Sequence, residues 1–115
     1  MTQLTIITGK QNSGKSTLAR KMTEGKKTFI VNSTIGNGNM ADLEQDTEFI
    51  LLDEYQNDMQ SMKRITSWIL ENEIRIRQPY HENAESFKTP HFIICSQTCV
   101  KVPEAIKSLT ELINL

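Results

Sequence analysis

The segment GKQNSGKS, from Gly9 to Ser16, sets two glycines around a short polar stretch and follows the second with a lysine and a hydroxyl residue. These are the parts of a phosphate cradle. Glycine reaches backbone conformations closed to other residues, so Gly9 and Gly14 let successive N–H groups turn toward an anion. Lys15 adds a compact charge that can reach the β- and γ-phosphates of a nucleotide, and Ser16 adds a hydroxyl able to ligate Mg²⁺ bridging them. With Lys10, Gln11, Asn12, Ser13 and Thr17 they make up the candidate nucleotide-binding set. The bland alternative is a tight glycine turn, with Lys15 facing solvent and Ser16 serving as a helix cap.

A cradle alone only binds. FILLDE ends an apolar run on adjacent carboxylates, Asp53 and Glu54. Asp53 is the expected Mg²⁺ ligand beside Ser16. Glu54, directed elsewhere by the alternation of side chains along a strand, is the expected residue to orient or deprotonate a water attacking the γ-phosphate. A solvated acidic strand end is the competing reading for the pair. HFIICSQT offers a third element, in which Gln97 emerges from another apolar run and can contact the γ-phosphate or the attacking water. The expected catalytic residues are therefore Lys15, Glu54 and Gln97, and the expected metal ligands Ser16 and Asp53.

These groups need a scaffold that brings three strand ends to one edge. LTIIT, TFIV, FILLD and HFIICS read as strands, FILLD and HFIICS as buried ones, and helical patterns follow LTIIT, FILLD and HFIICS. A helix is expected from Lys15 to about Glu24, stopped by Gly25, and another from a cap at Asp58 to about Asn72, with Met62, Ile65 and Ile69 on one face. A short helical piece is expected at 41–43 and another in PEAIKSL, with TELINL as a closing strand. NSTIGNGN, from Asn32 to Asn39, reads as a mobile surface loop. Residues 74–90 read as a hairpin-like excursion limited by Pro79 and Pro90. Strands alternating with helices imply an α/β fold with parallel crossovers and helices on both faces of one sheet.

The chain has 115 residues, enough for one domain, with 13 Lys and Arg against 14 Asp and Glu for a formal charge of −1. That balance argues against nucleic-acid binding by bulk charge, leaving only a local patch. No apolar stretch approaches the roughly 20 residues that span a bilayer, and no signal pattern opens the chain, which points to the cytoplasm. Cys95 and Cys99 near His81 and His91 match no common zinc ligand set.

Taken in order, GKQNSGKS, FILLDE and FIICSQT resemble the Walker A, Walker B and sensor 1 elements of P-loop ATPases with an additional catalytic glutamate, above all AAA+ proteins and superfamily 3 helicases. The resemblance covers nearly the whole chain. It implies a three-layer P-loop NTPase fold with a central, mainly parallel five-stranded sheet in the order 5-1-4-3-2, a hairpin inserted before sensor 1, and TELINL as the last strand. It implies Mg²⁺ as cofactor and ATP or GTP as substrate. Where these families more often carry Asn, this chain has Gln97; where they place an arginine that reaches a neighbour's site, it reads KSL, with Lys107 the nearest cation. A helical lid is not expected within 1–115, so a homo-oligomer or partner chain is expected to supply both lid and arginine.

Arg75 and Arg77 alternate with Ile74 and Ile76, and with Lys88 they form a candidate contact for DNA, RNA or an adjacent subunit. Pairing with Glu71, Glu73, Glu82 and Glu85 is the competing reading. The expected activity is Mg-dependent ATP hydrolysis, in replication or mobile-element machinery by resemblance. A nucleotide-binding regulatory module with negligible turnover, or a small-molecule or nucleotide kinase, are the alternatives.

Overall fold

The computed structural model describes residues 2–32, 34–35, 40–76 and 85–115. Among these residues seven strands and three helices follow one another as β1 (Leu4–Thr8), α1 (Lys15–Thr23), β2 (Thr28–Asn32), β3 (Phe49–Asp53), α2 (Met59–Glu71), β4 (Glu73–Ile76), β5 (Glu85–Lys88), β6 (His91–Ser96), α3 (Glu104–Lys107) and β7 (Thr110–Asn114). Five strands form a sheet in the order β2-β3-β6-β1-β7, and every neighbouring pair in it is parallel. That string differs from the 5-1-4-3-2 expectation because the excursion contributes two strands of its own, β4 and β5, which pair antiparallel in a separate sheet. With those two left out and the main-sheet strands renumbered in chain order, the sheet runs 2-3-4-1-5, which read from its other edge is 5-1-4-3-2.

The apolar runs form central strands because both faces are covered. Along β1, Leu4 and Ile6 join one buried cluster and Ile7 the other; along β6, Phe92 and Ile94 divide from Ile93 and Cys95 in the same way. Helix α1 covers the second face with Leu18, Ala19 and Met22. Helix α2 covers the first with Met62, Ile65 and Ile69, joined there by Ile106 of α3 and by Ile74, Ile76 and Phe87 of the hairpin strands. The result is a layer of helix on each side of the sheet.

Local chemistry sets the ends of the helices. Gly14 (φ 95) precedes α1, and Gly25 (φ 74) follows it in a left-handed conformation that ends the helix. The Asp58 side chain accepts from the Ser61 amide at 2.9 Å to cap α2, and Asn72 in the left-handed region closes it. Trp68 stacks on Phe92 with ring centroids 6.1 Å apart, and its carbonyl accepts from the Thr89 hydroxyl, so it is packed beneath the excursion.

Two local expectations are corrected. Residues 41–43 form a turn closed by Leu43 N–H to the Met40 carbonyl, with Lys27 holding the next segment through ion pairs to Glu44 and Asp46. A single turn of three residues fixes its backbone for one hydrogen bond and does not by itself nucleate a helix. Within the Asn32–Asn39 stretch, Ile35 is buried in the core, its N–H donating to the Ser61 hydroxyl at 2.8 Å and its carbonyl accepting from Arg64 at 2.9 Å. An apolar side chain among glycines and asparagines anchors that part of the loop. Residues 33 and 36–39 lie outside the described residues. No described helix is long and apolar enough to cross a membrane.

Candidate functional site

Adjacent parallel strands with connections leaving in opposite directions open a crevice at their carboxyl ends. Strand β1 leads through α1 to β2 on one side, while its neighbour β6 leads through α3 to β7 on the other. The glycine loop starts at that point. Gly9 N–H donates to the Ser96 carbonyl at 3.2 Å, extending the β1–β6 ladder by one rung, and Ser13 N–H donates to the Lys10 carbonyl at 3.1 Å. A Cβ at Gly9 would lie 2.5 Å from Ser13 Oγ and 3.2 Å from Leu115 Cβ, so a side chain there would require the loop to shift.

Lys15 bends back over this loop. Its Nζ donates to the carbonyls of Gly9 and Lys10, each at 2.7 Å, and to Ser13 Oγ at 3.4 Å. The ammonium thus sits at the mouth of the loop instead of in bulk solvent, unlike the simple-turn alternative. Because the N–H groups of Gly9 and Ser13 are taken by backbone carbonyls, the donors best placed for an anion are those of the first turn of α1, which have no intrahelical acceptor. That turn carries no acid, and Arg20 and Lys21 lie in the last turn, a charge distribution that leaves the positive end of the helix uncompensated. Lys10, Gln11, Asn12, Ser16 and Thr17 are exposed around it, Asn12 with φ 65.

Asp53 ends β3 on the face that alternation shares with Leu51, the face that α1 covers. Its Oδ1 accepts from the Glu54 amide at 3.1 Å. The Cys95 Sγ is 4.0 Å from the Lys15 carbonyl, and burial pushes its pKa up to about 11, with Asp53 adding to the rise and Lys15 opposing it. Cys95 was not singled out for the site by its sequence.

Glu54 is exposed and has φ 55, a left-handed conformation rare for a residue with a long side chain. It lines a cleft of about 550 Å³ together with Tyr55, Gln56, Asn57, Gln97 and Thr98. Glu54 and Gln97, 43 residues apart in the chain, therefore face one space. Tyr55 N–H donates to the Cys95 carbonyl at 2.9 Å, and the buried Tyr55 hydroxyl donates to the Asp58 carbonyl at 2.8 Å. Burial first, then the charge of Asp58, push the Tyr55 phenol up to about 12.

Of the cationic patch, Arg75 and Lys88 lie on the separate two-stranded sheet and not on this edge. Arg75 lies on the hairpin at the α2 side of the sheet, where its Nε is 3.5 Å from Glu73, so the acid-paired reading applies to it. Lys88 is exposed opposite Glu73, and Arg77 lies outside the described residues. Lys107, in α3, pairs with Glu104 at 2.7 Å. Among the described residues no group of three or more His, Cys, Asp and Glu could hold a metal; His91 shares a 2.8 Å hydrogen bond with Thr5 instead, and His81 is outside them.

No family model and no curated protein matches the sequence. Solved structures do. The chain is similar in fold to the NrS-1 C-terminal region. Against the A-form apo structure of that region the TM-score is 0.67 at 22% identity, over 96% of this chain and 28% of the other. A second apo structure of the NrS-1 region aligns with a TM-score of 0.62 at 20% identity, over 97% and 29%. A candidate ATPase from Cytophaga hutchinsonii ATCC 33406 aligns with a TM-score of 0.58 at 13% identity, over 98% of this chain and 41% of that one. The chain thus spans less than a third of the NrS-1 chains and under half of the Cytophaga protein.

Proposed function

We propose that this chain is a P-loop domain that binds and hydrolyses ATP with Mg²⁺. The observation that carries the reading is that β1, β6 and β3, adjacent and parallel, end at one edge of the sheet, β1 running into the glycine loop, β3 into Asp53 and Glu54 and β6 into Gln97, with Glu54 and Gln97 lining one cleft. The fold neighbours, one of them a candidate ATPase, support it.

In this reading the triphosphate lies over the loop from Gly9 to Gly14, with the first-turn amides of α1 directed at its oxygens. Lys15 exchanges its loop carbonyl partners for phosphate oxygens, a trade of neutral acceptors for anionic ones that favours binding. Ser16 and Asp53 fit Mg²⁺ because a hydroxyl and a single carboxylate are hard oxygen donors, and this ion normally takes one or two carboxylates with substrate phosphates supplying the rest. When bound, the ion neutralises charge on the phosphate oxygens. Glu54 accepts the proton of a water held in the cleft, and Gln97, on the facing wall, orients that water or the γ-phosphate. An oligomer or partner supplying an arginine and a cover, little discrimination between ATP and GTP, and a role in replication or mobile-element machinery belong to the same proposal.

Calorimetric titration with Mg·ATP separates the roles. Lys15→Ala removes charge-assisted hydrogen bonds, each worth about 1.5–3 kcal/mol, so affinity should fall by roughly 10- to 100-fold or more. Glu54→Gln should bind like the parent. Equal affinity of the parent and Lys15→Ala would defeat the assignment of the cradle.

A further inference from the structure

We propose that Asn57 is a positioning residue: it latches the loop carrying Glu54 to the loop carrying Gln97, so that the two sides of the cleft move as one wall. The inference rests on the hydrolytic reading of Glu54 and adds to it a residue outside the motifs. Asn57 Nδ2 donates to Thr98 Oγ1 at 2.9 Å and to the Cys99 carbonyl at 3.1 Å, joining segments more than 40 residues apart in sequence. A carboxamide has two N–H donors on one nitrogen, and here both go to the same facing loop. Two further contacts support the joint. Tyr55 N–H reaches the Cys95 carbonyl at 2.9 Å, and Thr98 N–H reaches Ser96 Oγ at 3.2 Å, which ties the latch's acceptor to the buried end of β6.

The backbone shows why a latch is needed. Both Glu54 (φ 55) and Asn57 (φ 54) are left-handed. Asparagine tolerates that region and glutamate does so poorly, so the short segment between them holds an unfavourable residue at one end and a tolerant, doubly hydrogen-bonded one at the other. Strained conformations of this kind persist where surrounding bonds over-determine them. Asn57 and Thr98 are both exposed, so their removal loosens the cleft with little effect on the core.

Two variants test this from opposite sides. Asn57→Gly keeps the left-handed backbone and deletes both donors; Thr98→Val deletes one acceptor and leaves residues 54–58 untouched, while Thr98→Ser restores the hydroxyl. The first readout is amide exchange by NMR, which needs no turnover. Losing one hydrogen bond worth about 1 kcal/mol should speed exchange of the Tyr55 amide about fivefold in Thr98→Val, more in Asn57→Gly, and little in Thr98→Ser. The second is ATP turnover: kcat should fall about tenfold in Asn57→Gly with KM within about twofold, as expected where positioning and not ground-state binding is lost. Parental Tyr55 exchange in Thr98→Val overturns the latch, as does parental kcat in Asn57→Gly alongside a Glu54→Gln variant that is inactive. Turnover that survives Glu54→Gln instead refutes the hydrolytic role of Glu54, and the exchange result still decides whether the loops are joined.

Discussion

Replacing Gly9 by alanine perturbs the loop at the one glycine, among those described, where an added Cβ would meet close neighbours. The added Cβ would meet Ser13 Oγ at 2.5 Å and Ser13 Cβ and Leu115 Cβ at 3.2 Å each. The hydroxyl can rotate away, but the Cβ contacts remain, so the loop and the chain's last described residue must separate by a few tenths of an ångström. Crowding of this degree costs about 1–3 kcal/mol where the surroundings are rigid, and an exposed loop puts it near the lower end. About 1 kcal/mol corresponds to roughly 3–5 °C in Tm for a chain of this size. The larger effect falls on binding, because Ser13 Oγ and the Gly9 carbonyl are both partners of Lys15 Nζ. The assay is thermal unfolding followed by the single Trp68, with Mg·ATP titration beside it. A double variant, Gly9→Ala with Ser13→Gly, removes two of the three close contacts and should recover most of the lost Tm. Gly14→Ala is the contrast: nothing lies within 4 Å of its Cβ, so its cost is the left-handed backbone alone (φ 95), about 1 kcal/mol after the unfolded chain's lost freedom is offset. Ser13→Gly should not rescue it. If it does, or if Gly9→Ala melts and binds like the parent, the loop is not packed as described.

Three further outcomes are expected. Phe92 is fully buried and stacked on Trp68, so Phe92→Ala should cost about 3–5 kcal/mol and shift the tryptophan emission of the folded protein; a loss under about 1 kcal/mol in a denaturant titration would contradict its central place. Burial holds the His91 pKa below its ordinary 6.5, outweighing a backbone hydrogen bond with Thr2 and the charge of Glu111 that act to raise it. The unfolded chain then binds the proton more tightly, so stability is full above about pH 6.5 and falls as pH drops from there toward the folded value. The difference in Tm between parent and His91→Gln should therefore change between pH 7.5 and 5.5, the parent losing more, and a constant difference would refute the shift. Cys99 is exposed while Cys95 is buried with its thiol pushed up to about 11; an aromatic disulfide reagent at pH 8 should titrate one thiol per native chain promptly and the second only on unfolding, and two prompt thiols would count against the packing of β6 under α1.

The three central strands of the sheet were legible because each is buried on two faces and reads as an unbroken apolar run. LTIIT, FILLD and HFIICS need no tertiary knowledge to be recognised. Helix α2 was legible from Asp58 and the spacing of Met62, Ile65 and Ile69. Ile35 was hidden because one apolar residue among Gly and Asn carries no period, and its anchorage depends on Ser61 and Arg64, far along the chain. The turn at 41–43 was over-read because three residues cannot distinguish a helical turn from a closed loop. At the site, the residue types and their order named Lys15, Asp53, Glu54 and Gln97, but not the partners between them. Cys95 reads as one more apolar residue of β6, and Asn57 as the neighbour of a helix cap. Their parts come from strand register and from a side-chain reach across 41 residues, which local pattern does not encode.

Phosphate release from Mg·ATP, followed over a wide range of protein concentration for the parent and for Glu54→Gln, bears most directly on the proposed function. Turnover by the parent and its loss in the variant, with ATP still bound, is the expected result, and a rate rising faster than linearly with protein would show a site completed between chains. Phosphate release that is undiminished in Glu54→Gln, or bound ATP that the parent never hydrolyses at any concentration, would contradict hydrolysis at this cleft.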